Sequence, residues 1–136
     1  RIAIVLELVQ GVTLHEFIAG GSRSGWRGPS RLAKYQVMLG VCQALLYMHT
    51  RLPQVVHGDL KSSNVMVEWA SGRAHPKLLD FGLSRIVTRH AEAQGGTADW
   101  AAPEALSGPC RAKCSVDVYS LGFVIFFVAT GGPPPP

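Results

Sequence analysis

His57-Gly58-Asp59-Leu60-Lys61-Ser62-Ser63-Asn64, followed sixteen residues beyond Asn64 by Asp80-Phe81-Gly82, is the stretch whose reading decides the fold. Short β-rich runs lie before and between these segments: Val55-Val56, Val65-Met66-Val67 and Lys77-Leu78-Leu79. Each is predicted to be a strand. Asp59, Lys61, Asn64 and Asp80 are concentrated in the polar segments that separate them, and polar residues between short buried strands point to a site. Each half alone is a weak signal. Asp59 and Asn64 also read as turn residues bonding their own backbone, and Asp-Phe-Gly is a turn that occurs by chance.

Working outward, Ser30 to about His49 places Leu32, Tyr35, Leu39, Cys42, Leu45, Leu46 and Met48 at helical spacing. This predicts the longest amphipathic helix of the chain, ended by Pro53. Upstream, Thr13 is the expected N-cap of a short helix through Leu14, Phe17 and Ile18, and Glu16 at the third helical position completes a capping box. Gly20 to Pro29 reads as a flexible loop; its Arg23 and Arg27, with Arg31, are expected to form a solvated face, and Trp26 has no assigned role. The opening run, Arg1 to Val9, is β-rich and apolar and predicts a buried strand, broken at Gln10 and Gly11. Downstream, Gly82 to Ala98 reads as a loop. Val116 to about Thr130 is a second helix, apolar on nearly every face, which fits a helix surrounded by protein.

Composition bounds the class. The 136 residues are 47% hydrophobic and 16% charged, which describes a globular chain with one core rather than a disordered tail. The formal charge of +4 comes from scattered bases, so a nucleic-acid partner is not expected. Three cysteines, Cys42, Cys110 and Cys114, make no closed disulfide set and favour a reducing, cytoplasmic setting. Cys110 and Cys114 lack a second ligand pair at metal-binding spacing and read as plain thiols. The most apolar stretch, Leu121 to Ala129, is too short to span a bilayer. A chain that opens on a run needing strand partners, and closes on Pro133 to Pro136 after a helix, is expected to be a piece of a longer protein.

In this order, the two quoted segments resemble the catalytic loop and metal-binding motif of the eukaryotic protein kinase superfamily. Gly96-Thr97-Ala98-Asp99-Trp100-Ala101-Ala102-Pro103-Glu104 resembles its substrate-side loop and closing Ala-Pro-Glu. Asp117-Val118-Tyr119-Ser120-Leu121-Gly122 is similar to the start of its large buried C-lobe helix. The resemblance implies an α+β, protein-kinase-like fold: a mostly helical C-lobe fragment with short β-hairpins and one hinge strand, the N-lobe missing. Residues 1–11 would be the last N-lobe strand and hinge, and 12–136 an incomplete C-lobe.

The implied chemistry is transfer of the γ-phosphate of Mg-ATP to a protein hydroxyl. Asp59 would accept the hydroxyl proton, Lys61 would neutralise the moving phosphate, and Asn64 and Asp80 would hold Mg2+. Lys61 and Thr97 resemble the serine/threonine class, in which the threonine hydroxyl bridges the catalytic Asp and Lys. Residues 57–64 are also similar to the tyrosine-kinase-like group. In the hinge, Leu6 would be the gatekeeper and the backbone of Glu7 and Val9 would bind adenine, with Met66 as the floor beneath it. His57 and Phe81 would belong to a stacked regulatory core, Asp117 would anchor the catalytic loop through its backbone, and Glu104 would pair with an Arg outside this chain.

One departure stands out: Gly58 occupies the place where the family usually carries Arg. Phosphorylation of the activation loop is therefore not expected to be the main on-switch. The upstream Gly-rich loop, lysine and glutamate of a kinase are absent from these residues, so the isolated polypeptide is expected to bind ATP poorly. A pseudokinase or C-lobe scaffold is the alternative.

Overall fold

A computed structural model describes residues 3, 5–20, 28–88, 90–93, 95–107 and 110–133, apart from the side chain of Cys110. Elements follow in the order β1 (Gly11–Thr13), α1 (Leu14–Ala19), α2 (Arg31–His49), β2 (Val55–Val56), β3 (Val65–Ala70), β4 (Arg73–Leu78), β5 (Arg85–Ile86), β6 (Glu92–Ala93), α3 (Pro103–Leu106), β7 (Cys110–Arg111) and α4 (Cys114–Thr130). A single 3-10 turn, Ser62–Asn64, leads into β3. The class is α+β. The sheet β1-β3-β4 is antiparallel throughout, and two short antiparallel pairs, β2-β5 and β6-β7, stand apart from it.

Local signals account for α1. Thr13 Oγ1 accepts from Glu16 N at 3.2 Å while Thr13 N donates to the Glu16 carboxylate at 2.8 Å, closing the expected capping box. Those bonds with Thr13, the backbone one first, hold the Glu16 carboxyl below its usual range. Gly20, left-handed at φ 85°, ends the helix.

The two long helices and the β3-β4 hairpin share one core. Leu14, Phe17, Val37, Val41, Leu45, Leu60, Val65, Val67, Val124, Phe127 and Val128 pack together there. The face of α2 differs from the one expected. Ala33, Val37, Val41, Leu45 and Met48 are buried, whereas Leu32, Tyr35, Leu39 and Leu46 are exposed. The reason is the close approach of β4. A Cβ placed on Gly40 would lie 2.5 Å from Pro76 Cγ, so the small and β-branched side of the helix, not the Leu-rich side, meets the hairpin.

Three further expectations change. The opening strand does not form among the described residues: 5–10 have no strand partner, and Val5, Leu6 and Leu8 are exposed. An apolar run forms a strand only when another edge satisfies its backbone groups. A short strand does form at Gly11–Thr13, paired with β3. Within the expected loop 82–98, Arg85 and Ile86 pair with β2, and Glu92 and Ala93 with β7. The last helix begins at Cys114, two residues earlier than Val116, and carries Val118, Tyr119 and Phe126 exposed as well as its buried face. Arg23, Trp26 and Arg27 lie outside the described residues.

Candidate active site

The loop from His57 to Asn64 is fixed from beneath by one carboxylate. Asp117, in the first turn of α4 and 1% exposed, accepts from His57 N at 2.8 Å and from Gly58 N at 2.9 Å. It also accepts from His49 Nε2, at the end of α2, at 2.8 Å. One buried acid thus joins both long helices to the loop, and each of its donors satisfies a charge that would be costly to bury alone. Sequence reasoning anticipated the backbone bonds and missed His49, whose position in the last helical turn carries no local signal.

Gly58 has φ +83°, and a Cβ there would lie 2.8 Å from the Leu83 carbonyl oxygen. Glycine takes this left-handed backbone without strain. His57, fully buried, donates from Nε2 to Leu79 O at 3.0 Å and accepts from Asp59 N at Nδ1, 3.3 Å. Its ring centroid lies 5.2 Å from that of Phe81. Ser84 Oγ donates to His57 O at 2.9 Å, tying the segment after Gly82 to the same loop.

Asp59, Lys61, Asn64 and Thr97 come together above this base. Asp59 Oδ1 accepts from Thr97 N at 3.0 Å and from Thr97 Oγ1 at 2.8 Å. Its Oδ2 accepts from Lys61 Nζ at 2.7 Å and from Asn64 Nδ2 at 3.1 Å. Lys61 Nζ also donates to Thr97 Oγ1 at 2.7 Å, so the threonine hydroxyl bridges acid and amine. Partial burial by itself would raise the Asp59 carboxyl, but the hydrogen bonds from Lys61 and Thr97 and the Lys61 charge outweigh it and hold the group below its ordinary value. A carboxylate offers about four acceptor sites, and all of those on Asp59 are taken.

Asp80 reaches the cluster through its neighbour, since Leu79 N donates to Asn64 O at 2.8 Å. Its own backbone is left-handed, φ 59°, a conformation that Asp tolerates better than most side chains, and Oδ1 accepts from Gly82 N at 3.1 Å. The second carboxylate oxygen of Asp80 and Oδ1 of Asn64 have no hydrogen-bond donor among the described residues. Hard oxygens left free in this way suit Mg2+, which takes one or two protein ligands and fills the remainder from phosphate and water.

The expected adenine residues are less assembled. Met66 sits half-buried in the middle strand, opposite Thr13 on one side and Lys77 on the other. Glu7 is tied to that sheet by an ion pair with Lys77. Leu6 is 82% exposed and Val9 half-buried, and neither makes a hydrogen bond among the described residues. Lys77 entered the sequence reading only as a strand residue.

The Protein kinase domain family matches residues 1–136. The chain belongs to the protein kinase family. Among curated relatives it is similar to the serine/threonine-protein kinase PkaA of Streptomyces coelicolor, 33% identical over 139 residues covering 98% of this chain and 24% of that protein. Similarity to the serine/threonine-protein kinase PknB of Mycobacterium tuberculosis is 34% over 137 residues, 96% of this chain and 20% of PknB. An L-type lectin-domain containing receptor kinase of Arabidopsis thaliana is 33% identical over 136 residues, 94% of this chain and 19% of its own length. The chain therefore spans about a quarter or less of these kinases. Among the described residues no helix is long and apolar enough to cross a membrane.

Proposed function

We propose that this chain carries the catalytic centre of an ATP-dependent serine/threonine protein kinase, corresponding to the hinge and part of the C-lobe. The observation that carries the reading is Asp59, with Thr97 on one carboxylate oxygen and Lys61 and Asn64 on the other. Mg-ATP would supply the phosphoryl group and the charge neutralisation at its oxygens; Asn64 and Asp80 are the residues to hold the metal ion.

The protein's own part is orientation and charge. With its carboxyl held below the ordinary range, Asp59 is a weak base, so it aligns the substrate hydroxyl and takes its proton late, when the oxygen has become acidic. Because its acceptor sites are filled, a substrate hydroxyl would need Lys61 or Asn64 to release Asp59 Oδ2, which phosphate and metal would allow by taking up the Lys61 amine and the Asn64 amide. Thr97 keeps its two bonds to Oδ1 and holds the carboxylate in place through that exchange. The bridging Thr97 and the Lys61 amine support serine or threonine as acceptor. Residues 57–64 support the tyrosine-kinase-like group, and a cytoplasmic setting fits the free thiols Cys42 and Cys114.

Gly58 offers no guanidinium to a phosphorylated loop, so Thr88, exposed in that loop, is not the main switch. The test is transfer of labelled γ-phosphate by the full-length protein to a Ser/Thr peptide library, followed by phosphoamino-acid analysis. Phosphoserine or phosphothreonine is expected; nucleotide binding with no transfer would favour the scaffold reading.

A further inference from the structure

Residues 5–10 would carry the adenine-binding backbone, yet they form no strand and leave Val5, Leu6 and Leu8 exposed. Among the described residues, the only side-chain hydrogen bond this segment makes is from Lys77 Nζ to the Glu7 carboxylate. The position of Lys77 gives that bond its meaning. Lys77 lies directly across the β3-β4 ladder from Met66, and residues directly opposite project on the same face of a sheet. Its amine also lies 3.4 Å from Glu68 Oε2, two residues along β3 on that face. The hydrogen bond to Glu7, first, and the pairing with Glu68 raise the Lys77 amine above its usual value, so it stays charged.

We infer that Lys77 is a positioning residue for adenine: it clamps the Glu7 backbone beside Met66 so that hinge and floor face one another at a set separation. This rests on the kinase reading of Leu6 to Val9 and Met66. The side chain of Glu7 is consumed by the clamp, which leaves its backbone groups to the base. An amine between two carboxylates is suited to this because either bond can lengthen while the other holds. Lys77 pairs with Glu7 and Glu68 and makes no bond to Asp59, Lys61, Asn64 or Thr97 among the described residues, so its effect is expected on nucleotide affinity and not on the transfer step.

The test uses the full-length protein and two readouts: amide hydrogen exchange across residues 5–10, and the Kd for adenosine. Lys77→Met should speed exchange in 5–10, leave exchange in β3 and β4 unchanged, and weaken adenosine by about two- to fivefold, the scale of a partly exposed ion pair. Lys77→Arg should restore both, and Glu7→Gln should match Lys77→Met with no further loss in the double variant. Faster exchange with unchanged adenosine affinity would overturn the positioning role while leaving the kinase reading intact. Unchanged exchange would overturn the clamp itself. A wild-type protein that binds no adenosine would sink the kinase reading and this inference together.

Discussion

The loop 57–64 and the segment 5–10 would serve one reaction, yet they are held in opposite ways. In the loop, His57, Gly58, Asp59, Lys61 and Asn64 each make at least one hydrogen bond to another residue of the cluster or to Asp117. Among the described residues, the segment is tethered by a single ion pair, from Lys77. The difference follows from where the partners lie. The loop's partners come from α2, α4 and the segments around Leu79 and Thr97, all within this chain, so the fold closes on it. Residues 5–10 need a neighbouring strand edge, and the described residues offer none. The geometry of the proposed catalytic loop is thus built by one set of contacts, while the proposed adenine-binding backbone depends on another.

The largest break in this comparison comes from Asp117→Ala. It leaves His57 N, Gly58 N and His49 Nε2 without their acceptor at a buried position. At about 1–3 kcal/mol for each buried group left unpaired, urea unfolding should show a loss of about 3 kcal/mol or more. Gly58→Ala comes next. Its φ of +83° and the Leu83 carbonyl oxygen 2.8 Å from the new Cβ set a cost of about 1–3 kcal/mol in the same measurement.

Thr97→Val removes the hydroxyl from Asp59 Oδ1 and from Lys61 but keeps the backbone bond. Transfer should fall by about tenfold, the scale of one hydrogen bond to a charged group. Stability against pH should shift as well. The folded Asp59 carboxyl lies below its unfolded value, so its contribution is complete above the unfolded value and fades as pH falls through the folded one. In Thr97→Val the folded value rises toward the unfolded one, so the stability lost on acidification should be smaller than in the wild type and complete at higher pH. Leu8→Ala is the smallest change. Leu8 is 81% exposed, so thermal unfolding should move by less than about 0.5 kcal/mol.

What was legible in the sequence divides along the same line. Thr13 and Glu16 announce α1 because both halves of a capping box lie three residues apart and need nothing from elsewhere. The ordered motifs at 57–64, 80–82 and 96–104 point to a site because they bring rare polar residue types in sequence, and the fold gathers Asp59, Lys61, Asn64 and Thr97 as hydrogen-bonded partners. The face of α2 was not legible. Apolar residues lie on more than one side of it, and the close contact of Gly40 with Pro76 decides which row is buried. Nor were β5 and β6, two residues each, since their strand character comes from pairing with Val55-Val56 and Cys110-Arg111. Arg1 to Val9 has the composition of a strand, and composition supplies no partner.

Asp59→Asn in the full-length protein is the most direct test, read as two numbers: Mg-ATP affinity and the rate of γ-phosphate transfer. The amide keeps an acceptor oxygen and the shape of the loop but loses the charge proposed to align and finally deprotonate the acceptor hydroxyl. Affinity should stay within a few fold, and transfer should fall by about a hundredfold or more. Transfer at the wild-type rate would contradict the assignment of Asp59 to the reaction.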